Sequence, residues 1–229
     1  MTNTSLYKKI EGYQNISFDM FDTLIERNVI LPTDIFFQVG RSVLDDGEKF
    51  REQRILAERK ARAKHQSKEV TLDQIYLELG FLYDELILNE LKKKEISEEL
   101  SNCNPRKEIV EIYNKLIEEG KSVFIVTDMY LSKDTLSMML SKCSIDGYRD
   151  LLVSNEEGAG KRDGNLFEIL LQKYDLQPQS LVHIGDDLKS DYLGAKKVGI
   201  ASAIIPRRRV LRRQIKSEII KFKLHGKSL

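Results

Sequence analysis

The segment NISFDMFDT, residues 15–23, decides the fold class of this chain. It opens with a short apolar run that ends in the carboxylate of Asp19, which predicts a buried strand over Asn15–Asp19. The run is continuous, as is typical of a strand covered on both faces of a parallel sheet. Four later runs have the same character and predict strands over Ser122–Thr127, Leu151–Ser154, Leu181–Gly185 and Ile200–Ile205.

Helical patterns separate most of these runs. One helix is predicted to start at the cap Asn104, with Pro105 at its first helical position, and to end at Gly120. Further helices are predicted over Ser132–Leu140, Asn165–Tyr174 and Asp191–Val198. This alternation predicts an α/β fold: a doubly wound, Rossmann-like parallel sheet with right-handed crossovers.

The block between about residues 28 and 103 departs from the alternation. Its predicted helices are one opened by Pro32-Thr33-Asp34, a charged one over about 48–65, one behind the capping box Thr71–Gln74, and one through Leu86, Leu91 and Ile96. Four helices between the first and second strands predict an inserted all-α domain. The expected organisation is a core domain at 1–27 and 104–206, a helical domain at 28–103, and a basic C-terminal helix or tail at 207–229.

Composition excludes several protein classes. The chain has 229 residues, of which 41% are hydrophobic and 32% charged, as in a soluble globular protein and unlike a disordered or fibrous one. No apolar run approaches the roughly 18 residues of a membrane span, and the N-terminal sequence lacks the apolar stretch of a signal peptide. Cys103 and Cys143 lie in unrelated contexts, which predicts neither a disulfide framework nor a metal-binding cysteine pair. We therefore expect a cytoplasmic protein.

The net charge of +1 hides an uneven distribution. Residues 206–229 contain nine Lys and Arg and one acid, Glu218, so the net charge of this segment is +8 and that of the rest of the chain is −7. One apolar face of a helix predicted there consists of Leu211, Ile215, Ile219 and Phe222. The segment either packs on the core or contacts an anionic membrane surface or a protein partner. The absence of interleaved aromatic residues disfavours nucleic acid.

Polar residues at the ends of the predicted strands form the candidate site, because open α/β sheets bind ligands at the carboxyl ends of their strands. Asp19, Thr127 and Asp186 come at strand ends, and Lys161 and Asp191 come from nearby loops. Together they supply a nucleophile, a hydroxyl donor, a cation and further oxygen ligands. Carboxylate oxygens suit Mg²⁺, which shares its coordination sphere with water and substrate phosphate.

Four sequence motifs, in this order, resemble those of the haloacid dehalogenase-like (HAD) superfamily. They are FDMFDT at 18–23, VTD at 126–128, Lys161 within GKRDG, and GDDLKSD at 185–191. The resemblance extends to Pro206, and the helical block stands where the family inserts a C1-type cap. The segments FDMFDTLIER, VTDMYLS, KRDGNLF and HIGDDLKSD further resemble a bacterial subgroup associated with surface-polysaccharide biosynthesis.

The resemblance implies a role for each matching position. Asp19 would be the nucleophile that forms an aspartyl-phosphate, and Thr127 and Lys161 would hold and neutralise the phosphoryl oxygens. The implied Mg²⁺ ligands are Asp19, Asp186 and the backbone carbonyl of Phe21, with Asp191 completing or orienting the metal shell. A cation is required because the phosphoryl group and the attacking carboxylate are both negative.

The chain departs from the phosphatase pattern at Phe21. Phosphatases of the superfamily have a second Asp there, which protonates the leaving oxygen and later activates water, and they usually have Gly at the next position, here Asp22. Dehalogenases of the superfamily also have an aromatic residue at the Phe21 position, but they usually lose the acid corresponding to Asp186. Because Asp186, Asp187 and Asp191 are all present, we favour Mg²⁺-dependent phosphoryl chemistry. Asp22 is the candidate substitute acid.

Three functions therefore stay open on the sequence. The first is a Mg²⁺-dependent phosphohydrolase acting on a small phosphorylated metabolite, such as a sugar phosphate or a nucleotide-linked sugar. The second is a catalytically weak domain that serves as a binding or interaction module, with the missing acid as its signature. The third is a dehalogenase.

Several other polar residues have a structural interpretation that competes with a functional one. Lys161 is preferred over Arg162 as the site cation, Asp128 and Asp187 are interpreted as helix caps or supporting acids, and His183 as a core histidine. The charged helix of the inserted block is interpreted as a solvated face, with contact to substrate anions as the alternative for Arg51, Arg54 and Arg59.

Overall fold

The computed structural model describes residues 3–65 and 69–207. Its strands are β1 (Asn15–Phe18), β2 (Ile25–Arg27), β3 (Cys103–Pro105), β4 (Ser122–Thr127), β5 (Asp150–Val153), β6 (Leu181–Gly185) and β7 (Ala201–Ile204). Five of them form one parallel sheet in the order β5-β4-β1-β6-β7. The predicted α/β fold with a parallel central sheet is confirmed.

Ten α-helices accompany the strands in the described part of the chain. They are α1 (Asn3–Ile10), α2 (Asp34–Leu44), α3 (Gly47–Lys64), α4 (Leu72–Leu77), α5 (Glu85–Asn102), α6 (Lys107–Glu118), α7 (Lys133–Lys142), α8 (Ser154–Glu157), α9 (Asn165–Tyr174) and α10 (Ala195–Lys197). Helices α2 to α5 lie between β2 and β3, and we call residues 28–102 the helical insertion. None of the helices in these described ranges is long and apolar enough to cross a membrane.

Strand β1 occupies the middle of the sheet, between β4 and β6. Its last residue, Phe18, aligns with Ile125 of β4 and Ile184 of β6, and all three side chains are fully buried. Because the three strands are parallel and in register, their carboxyl ends meet at one edge. The residues that follow these strands are thereby brought together.

Local capping signals place several helices where the sequence predicts them. The predicted capping box is present at α4: Thr71 Oγ1 accepts the Gln74 N–H at 3.2 Å, and Gln74 Oε1 accepts the Thr71 N–H at 2.9 Å. Ser132 caps α7 in the same way, by accepting the Thr135 N–H. Helix α9 matches its predicted range.

The helix predicted to start at Asn104 begins at Lys107 instead. Asn104 and Pro105 belong to β3, which pairs antiparallel with β2 and aligns them with Glu26 and Ile25. This small ribbon closes the two ends of the helical insertion against each other, and cross-strand pairing there overrides the local helix-start signal. The prediction of Pro105 as a first helical residue is wrong.

The helix predicted over Asp191–Val198 also differs. The chain forms a π-helix over Leu188–Gly194, which continues into α10. Asp187 caps it by accepting the N–H groups of Lys189 at 2.8 Å and Ser190 at 2.9 Å. A wider helical turn here places Asp191 beneath the end of β6.

The helical insertion has a charged interior, which corrects one expectation. Arg54 of α3 is fully buried and donates from Nε and Nη2 to the two oxygens of Glu95 at 2.9 and 2.8 Å. The Tyr76 hydroxyl also donates to Glu95, at 2.9 Å. Arg54 is therefore neither solvated nor available to a substrate anion. Its guanidinium forms a bidentate ion pair with Glu95 of the same insertion.

Two other features are new relative to the sequence analysis. The short helix α1 buries Leu6 and Ile10 against the core. Cys103 and Cys143, which are 40 positions apart in the chain, are buried free thiols that form a hydrogen bond with each other. The basic segment from residue 208 onward, predicted as a helix or tail, lies outside the described residues.

Candidate functional site

An open cavity of about 180 Å³ lies at the carboxyl edge of the sheet. Its lining contains Asp19, Phe21, Asp22, Thr127, Asp128, Lys161, Asp186, Asp187, Ser190, Asp191 and Arg207. Every residue predicted as catalytic or metal-binding is in this set. The strand order thus gathers side chains that are up to 172 positions apart in the sequence, from Asp19 to Asp191.

The turn after β1 presents Asp19 and turns the chain away from the sheet. Asp19 is 6% exposed, and its N–H continues the ladder by donating to the Ile184 carbonyl at 2.8 Å. Asp22 has a φ of 59°, a left-handed conformation that Asp tolerates better than most residues. This explains why the family pattern, which usually has Gly at that position, accommodates Asp here.

Lys161 bridges two carboxylates at the floor of the cavity. Its Nζ lies 2.5 Å from Asp19 Oδ1 and 2.6 Å from Asp191 Oδ1, and the residue is 3% exposed. Burial alone would lower the pKa of Lys161, but the two carboxylates outweigh it and raise the pKa above the usual range, so the ammonium stays charged. Arg162, the alternative considered above, is exposed.

Asp191 is held in place through both of its oxygens. Oδ2 accepts the backbone N–H groups of Asp186 at 2.9 Å and Asp187 at 2.8 Å, while Oδ1 accepts from Lys161 and lies 3.2 Å from His183 Nε2. Burial opposes its ionisation, but Lys161 and His183 outweigh burial and hold the pKa of Asp191 well below its usual range. It is an ionised, fully hydrogen-bonded carboxylate.

His183 is the core histidine that the sequence predicts, but it also contacts the site. It is fully buried in β6, with Nδ1 2.9 Å from Ser17 Oγ and Nε2 facing Asp191. Burial lowers its pKa, so the ring is neutral. A neutral ring that donates from Nε2 to Asp191 accepts at Nδ1 from the Ser17 hydroxyl. Ser17 and His183 are paired in register, and this pairing only becomes visible once the strand order is known.

Three carboxylates, two of them buried and that of Asp186 partly exposed, form a cluster that fits a divalent cation. Asp19, Asp186 and Asp191 each place one oxygen within 4.8 Å of the others. Burial raises the pKa of Asp19 well above its usual value, and the charges of Asp191 and Asp186 add to that effect. Burial likewise raises the pKa of Asp186, to about 6. The site therefore holds excess negative charge, and its oxygen donors are those that Mg²⁺ prefers.

Arg207 is a site residue that the sequence analysis assigned to the basic tail. Its Nε donates to Asp186 and its Nη2 to Asp187, at the mouth of the cavity. The basic composition of residues 207–229 was the only available signal. Nothing in it distinguished this first arginine from the eight cationic residues that follow.

Phe21 and Thr127 both border the cavity. Thr127 ends β4 and is buried. The half-buried ring of Phe21 lies under the Arg27 guanidinium, with 4.0 Å from Cζ to the ring centroid. Arg27 in turn pairs with Glu99 of α5 at 2.7 Å. The ring of Phe21 is thus packed on an ion pair that links β2 to the helical insertion.

Comparison with known proteins identifies the family. Residues 50–205, more than half of the chain, match the haloacid dehalogenase-like hydrolase family. The matched range includes Thr127, Lys161, Asp186 and Asp191, whereas Asp19 precedes it. The ribulose-1,5-bisphosphate 5-phosphatase of Halopiger xanaduensis is 30% identical over 122 residues, which are 53% of this chain and 49% of that relative. The chain thus matches about half the length of this curated relative.

Two solved structures share the fold. The 2-haloacid dehalogenase of Pseudomonas syringae superimposes with a TM-score of 0.62 at 15% identity, covering 83% of this chain and 85% of that one. The HAD-hydrolase YfnB of Bacillus subtilis, bound to magnesium, gives a TM-score of 0.58 at 17% identity, covering 85% and 92%. With its parallel sheet, its cluster of site residues and the family match in agreement, the chain belongs to the haloacid dehalogenase-like hydrolases.

Proposed function

We propose that this chain is a Mg²⁺-dependent phosphohydrolase that acts on a small phosphorylated metabolite through an aspartyl-phosphate on Asp19. The observation that carries the proposal is the position of Asp19: buried at the end of the central strand, 2.5 Å from an ammonium and within 4.8 Å of two further carboxylates. A carboxylate in such a setting can attack a negatively charged electrophile, because nearby cations reduce the repulsion between the two groups.

The reaction has two displacements. A carboxylate oxygen of Asp19 attacks phosphorus, the bond from phosphorus to the leaving oxygen breaks, and the leaving group takes up a proton. Water then attacks the phosphorus of the aspartyl-phosphate, which releases inorganic phosphate and restores the carboxylate. In both steps Lys161 and Thr127 would hold the phosphoryl oxygens, since both border the cavity.

Asp19, Asp186, Asp191 and the backbone carbonyl of Phe21 would hold Mg²⁺. When bound, the ion neutralises the charge that the phosphoryl group and Asp19 bring together. The fit rests on the clustering of three carboxylates, which in the described part of the chain meet two cations, Lys161 and Arg207. His183 contributes by keeping Asp191 oriented.

The gap at Phe21 shapes the expected specificity. A phenyl ring neither protonates a leaving oxygen nor activates water, so we propose slow hydrolysis of alkyl phosphates and accumulation of the phosphoenzyme. Asp22 borders the same cavity and is the proposed substitute acid.

We further propose that the helical insertion is a C1-type cap over the site, with the core at 1–27 and 104–206 and the cap at 28–103. The buried Arg27–Glu99 pair joins β2 to α5, which is where such a cap would hinge. The subgroup resemblance suggests a cytoplasmic role in surface-polysaccharide biosynthesis, with a sugar phosphate as substrate. The basic segment beyond residue 207 is proposed to contact an anionic membrane surface or a protein partner.

The test is phosphate release from a panel of phosphoesters, with and without Mg²⁺. We expect release that requires both Mg²⁺ and Asp19, and that falls steeply as the pKa of the leaving group rises. Calorimetry with Asp186→Ala should show Mg²⁺ binding weakened by about tenfold or more. Mg²⁺ affinity equal to that of the wild type would place the metal elsewhere.

One alternative has a specific observation in its favour. Phe21 stands where dehalogenases also have an aromatic residue, and a dehalogenase would release halide from 2-haloacids without metal. The presence of Asp186 and Asp191 in the acid cluster favours phosphoryl chemistry over this alternative. Metal-independent halide release would support the dehalogenase. Phosphate binding without turnover of any substrate would support a binding module.

A further inference from the structure

Hydrogen bonds connect the helical insertion to a loop of the site through one serine. Glu69, between α3 and α4, accepts the Ser154 hydroxyl hydrogen at Oε2, over 2.6 Å. Ser154 is fully buried directly after β5, and its oxygen accepts the backbone N–H of Met129 at 3.1 Å. Met129 lies two residues after Thr127. The insertion therefore fixes the backbone of the Thr127 loop through Ser154.

The Thr127 loop is hydrogen-bonded to the separate loop that carries Lys161. Asp128 Oδ1 accepts the backbone N–H of Lys161 at 2.9 Å, and Lys161 Nζ reaches Asp19 at 2.5 Å. A Cβ at Gly160 would lie 3.0 Å from Glu69 Oε1, so the Glu69 carboxylate also borders the Lys161 loop directly. Glu69 thus borders the Lys161 loop directly and reaches the Thr127 loop through Ser154.

The orientation of Ser154 depends on Glu69. A serine hydroxyl has one hydrogen, and its donation to a carboxylate over 2.6 Å is a short, charge-assisted bond. This bond fixes the hydroxyl so that a lone pair of its oxygen faces the Met129 N–H. Without an acceptor at Glu69 the hydroxyl is free to rotate, and the position of Met129 is less tightly fixed.

A backbone contact beside Glu69 reinforces this contact region. The Leu72 N–H, at the start of α4, donates to the Tyr130 carbonyl at 2.8 Å. Residues 69–72 of the insertion therefore lie along residues 129–130 of the core. If the insertion moves away from the core, both bonds break together.

We propose that Glu69 is a positioning residue: through Ser154 it holds the Thr127–Met129 loop and Lys161 in their reactive arrangement when the insertion lies against the core. This inference rests on the proposed function. Glu69 does not touch the reacting atoms and acts through Ser154. Glu69 would thereby couple the contact between the insertion and the core to the rate of the chemical step.

Steady-state kinetics with p-nitrophenyl phosphate and Mg²⁺ test the proposal. We expect Glu69→Ala and Ser154→Ala each to lower kcat by roughly tenfold to hundredfold, with KM changed by less than about threefold, because misplacement of reacting groups acts on the chemical step. Glu69→Gln, which keeps an acceptor oxygen, should recover part of the loss. The double Ala variant should be no slower than the slower single variant by more than about twofold.

The matched control is Asp73→Asn. Asp73 lies four residues from Glu69, is exposed, and pairs with Lys92 inside the insertion. Its removal should leave kcat unchanged. Losses of kcat that multiply in the double variant would overturn the proposal, as would a Glu69→Ala variant that loses thermal stability but keeps kcat.

Hydrogen exchange gives a readout that does not require turnover. Amide exchange in peptides that cover residues 127–131 and 160–164 should accelerate in Glu69→Ala and Ser154→Ala, but not in Asp73→Asn, while peptides from β1 and β6 keep their protection. Unchanged exchange in the two loop peptides overturns the inference. A wild-type protein that releases no phosphate overturns the proposed function, and the exchange data then still decide whether Glu69 orders the loops.

Discussion

Two regions of the molecule bury charge, and they do so in opposite ways. In the helical insertion, Arg54 meets Glu95 through two hydrogen bonds of 2.9 and 2.8 Å, and the Tyr76 hydroxyl occupies a further site on the same carboxylate. At the carboxyl edge of the sheet, Asp19 and Asp191 share the buried ammonium of Lys161, and Asp186 meets the half-exposed guanidinium of Arg207.

The difference separates a structural role from a chemical one. A matched pair with complete hydrogen bonding leaves no charge for a ligand, and removal of either partner exposes the cost of burying the other. At the acid cluster, burial raises the pKa of Asp19 and Asp186, and the charges of neighbouring carboxylates add to that effect. Binding of a cation, alone or together with a substrate, would neutralise the excess negative charge of such a site.

The largest effect is expected at Asp19, where a substitution should abolish activity without lowering stability. Asp19→Asn removes the proposed nucleophile and should lower phosphate release by about 10⁴-fold or more. It also removes one negative charge from an acid-rich cluster, so the melting temperature without metal should stay equal or rise. Calorimetry and phosphate-release assays on the same preparation check both parts. Activity within tenfold of wild type would contradict the role of Asp19.

The opposite pattern is expected at Glu95. Glu95→Gln leaves the buried Arg54 guanidinium without its main counter-charge and should lower the free energy of unfolding by about 3 kcal/mol. Glu48→Gln, on the same helix as Arg54, weakens a half-exposed pair with Arg51 and should cost less than about 1 kcal/mol. Urea denaturation compares the two. Equal losses would show that burial of the Arg54 pair has no special weight.

Phe21 lies between the two regions and should give an intermediate effect. Phe21→Asp supplies the missing acid and should raise turnover of alkyl phosphates about tenfold, with little gain for aryl phosphates, because only poor leaving groups need the proton. Arg27, 4.0 Å from the present ring, will hold part of the new carboxylate ionised and limit the gain. Phe21→Asn is the matched control, and an equal gain in that variant would exclude acid catalysis.

The smallest effect concerns an ion pair at the other end of the sheet. Burial alone would raise the pKa of Asp150, but hydrogen bonds from Lys133, Lys173 and Tyr174 outweigh it and lower the pKa to about 2. The ionised form is thus favoured by folding, so its stabilisation is present above about pH 4 and is lost as the pH falls towards 2. Asp150→Asn should cost about 1 kcal/mol at pH 7, after allowance for solvent screening.

The pH dependence of that difference is the check. Free energies of unfolding of wild type and Asp150→Asn, measured from pH 7 to pH 2, should converge as the wild-type carboxylate becomes protonated. A difference that stays constant over this range would show that the contribution of Asp150 is not electrostatic. Asp19 and Asp186 should show the reverse trend, since burial raises their pKa and so disfavours their ionised forms.

The sheet and the membership of the site were accessible to sequence reasoning. Continuous apolar runs define the five parallel strands, and the carboxyl edge of such a sheet gathers the residues that end them. Asp19, Thr127 and Asp186 were assigned in this way, and all border one cavity. The preference for Lys161 over Arg162 agrees with the structure, in which Lys161 is buried and Arg162 is exposed.

Local signals failed where contacts distant in sequence decided the outcome. Asn104-Pro105 has the composition of a helix start, but pairing with Glu26 and Ile25 makes it a strand. Arg54 has the pattern of a solvated arginine, but it meets Glu95, 41 positions away, in the interior of the insertion. In both cases the partner, and not the residue's own neighbours, determines the environment.

The sequence by itself determined where the five strands of the parallel sheet occur along the chain, the insertion of a helical block and the identities of the acids at the strand ends. These features depend on periodicity and on residues close in the chain. Only the tertiary structure decided which charges pair. It placed Arg207 on Asp186 and Asp187, His183 behind Asp191, and Glu69 on Ser154. Charge pairing is set by distances between separate elements, and the energy of a buried charge depends on those distances and on the exclusion of water.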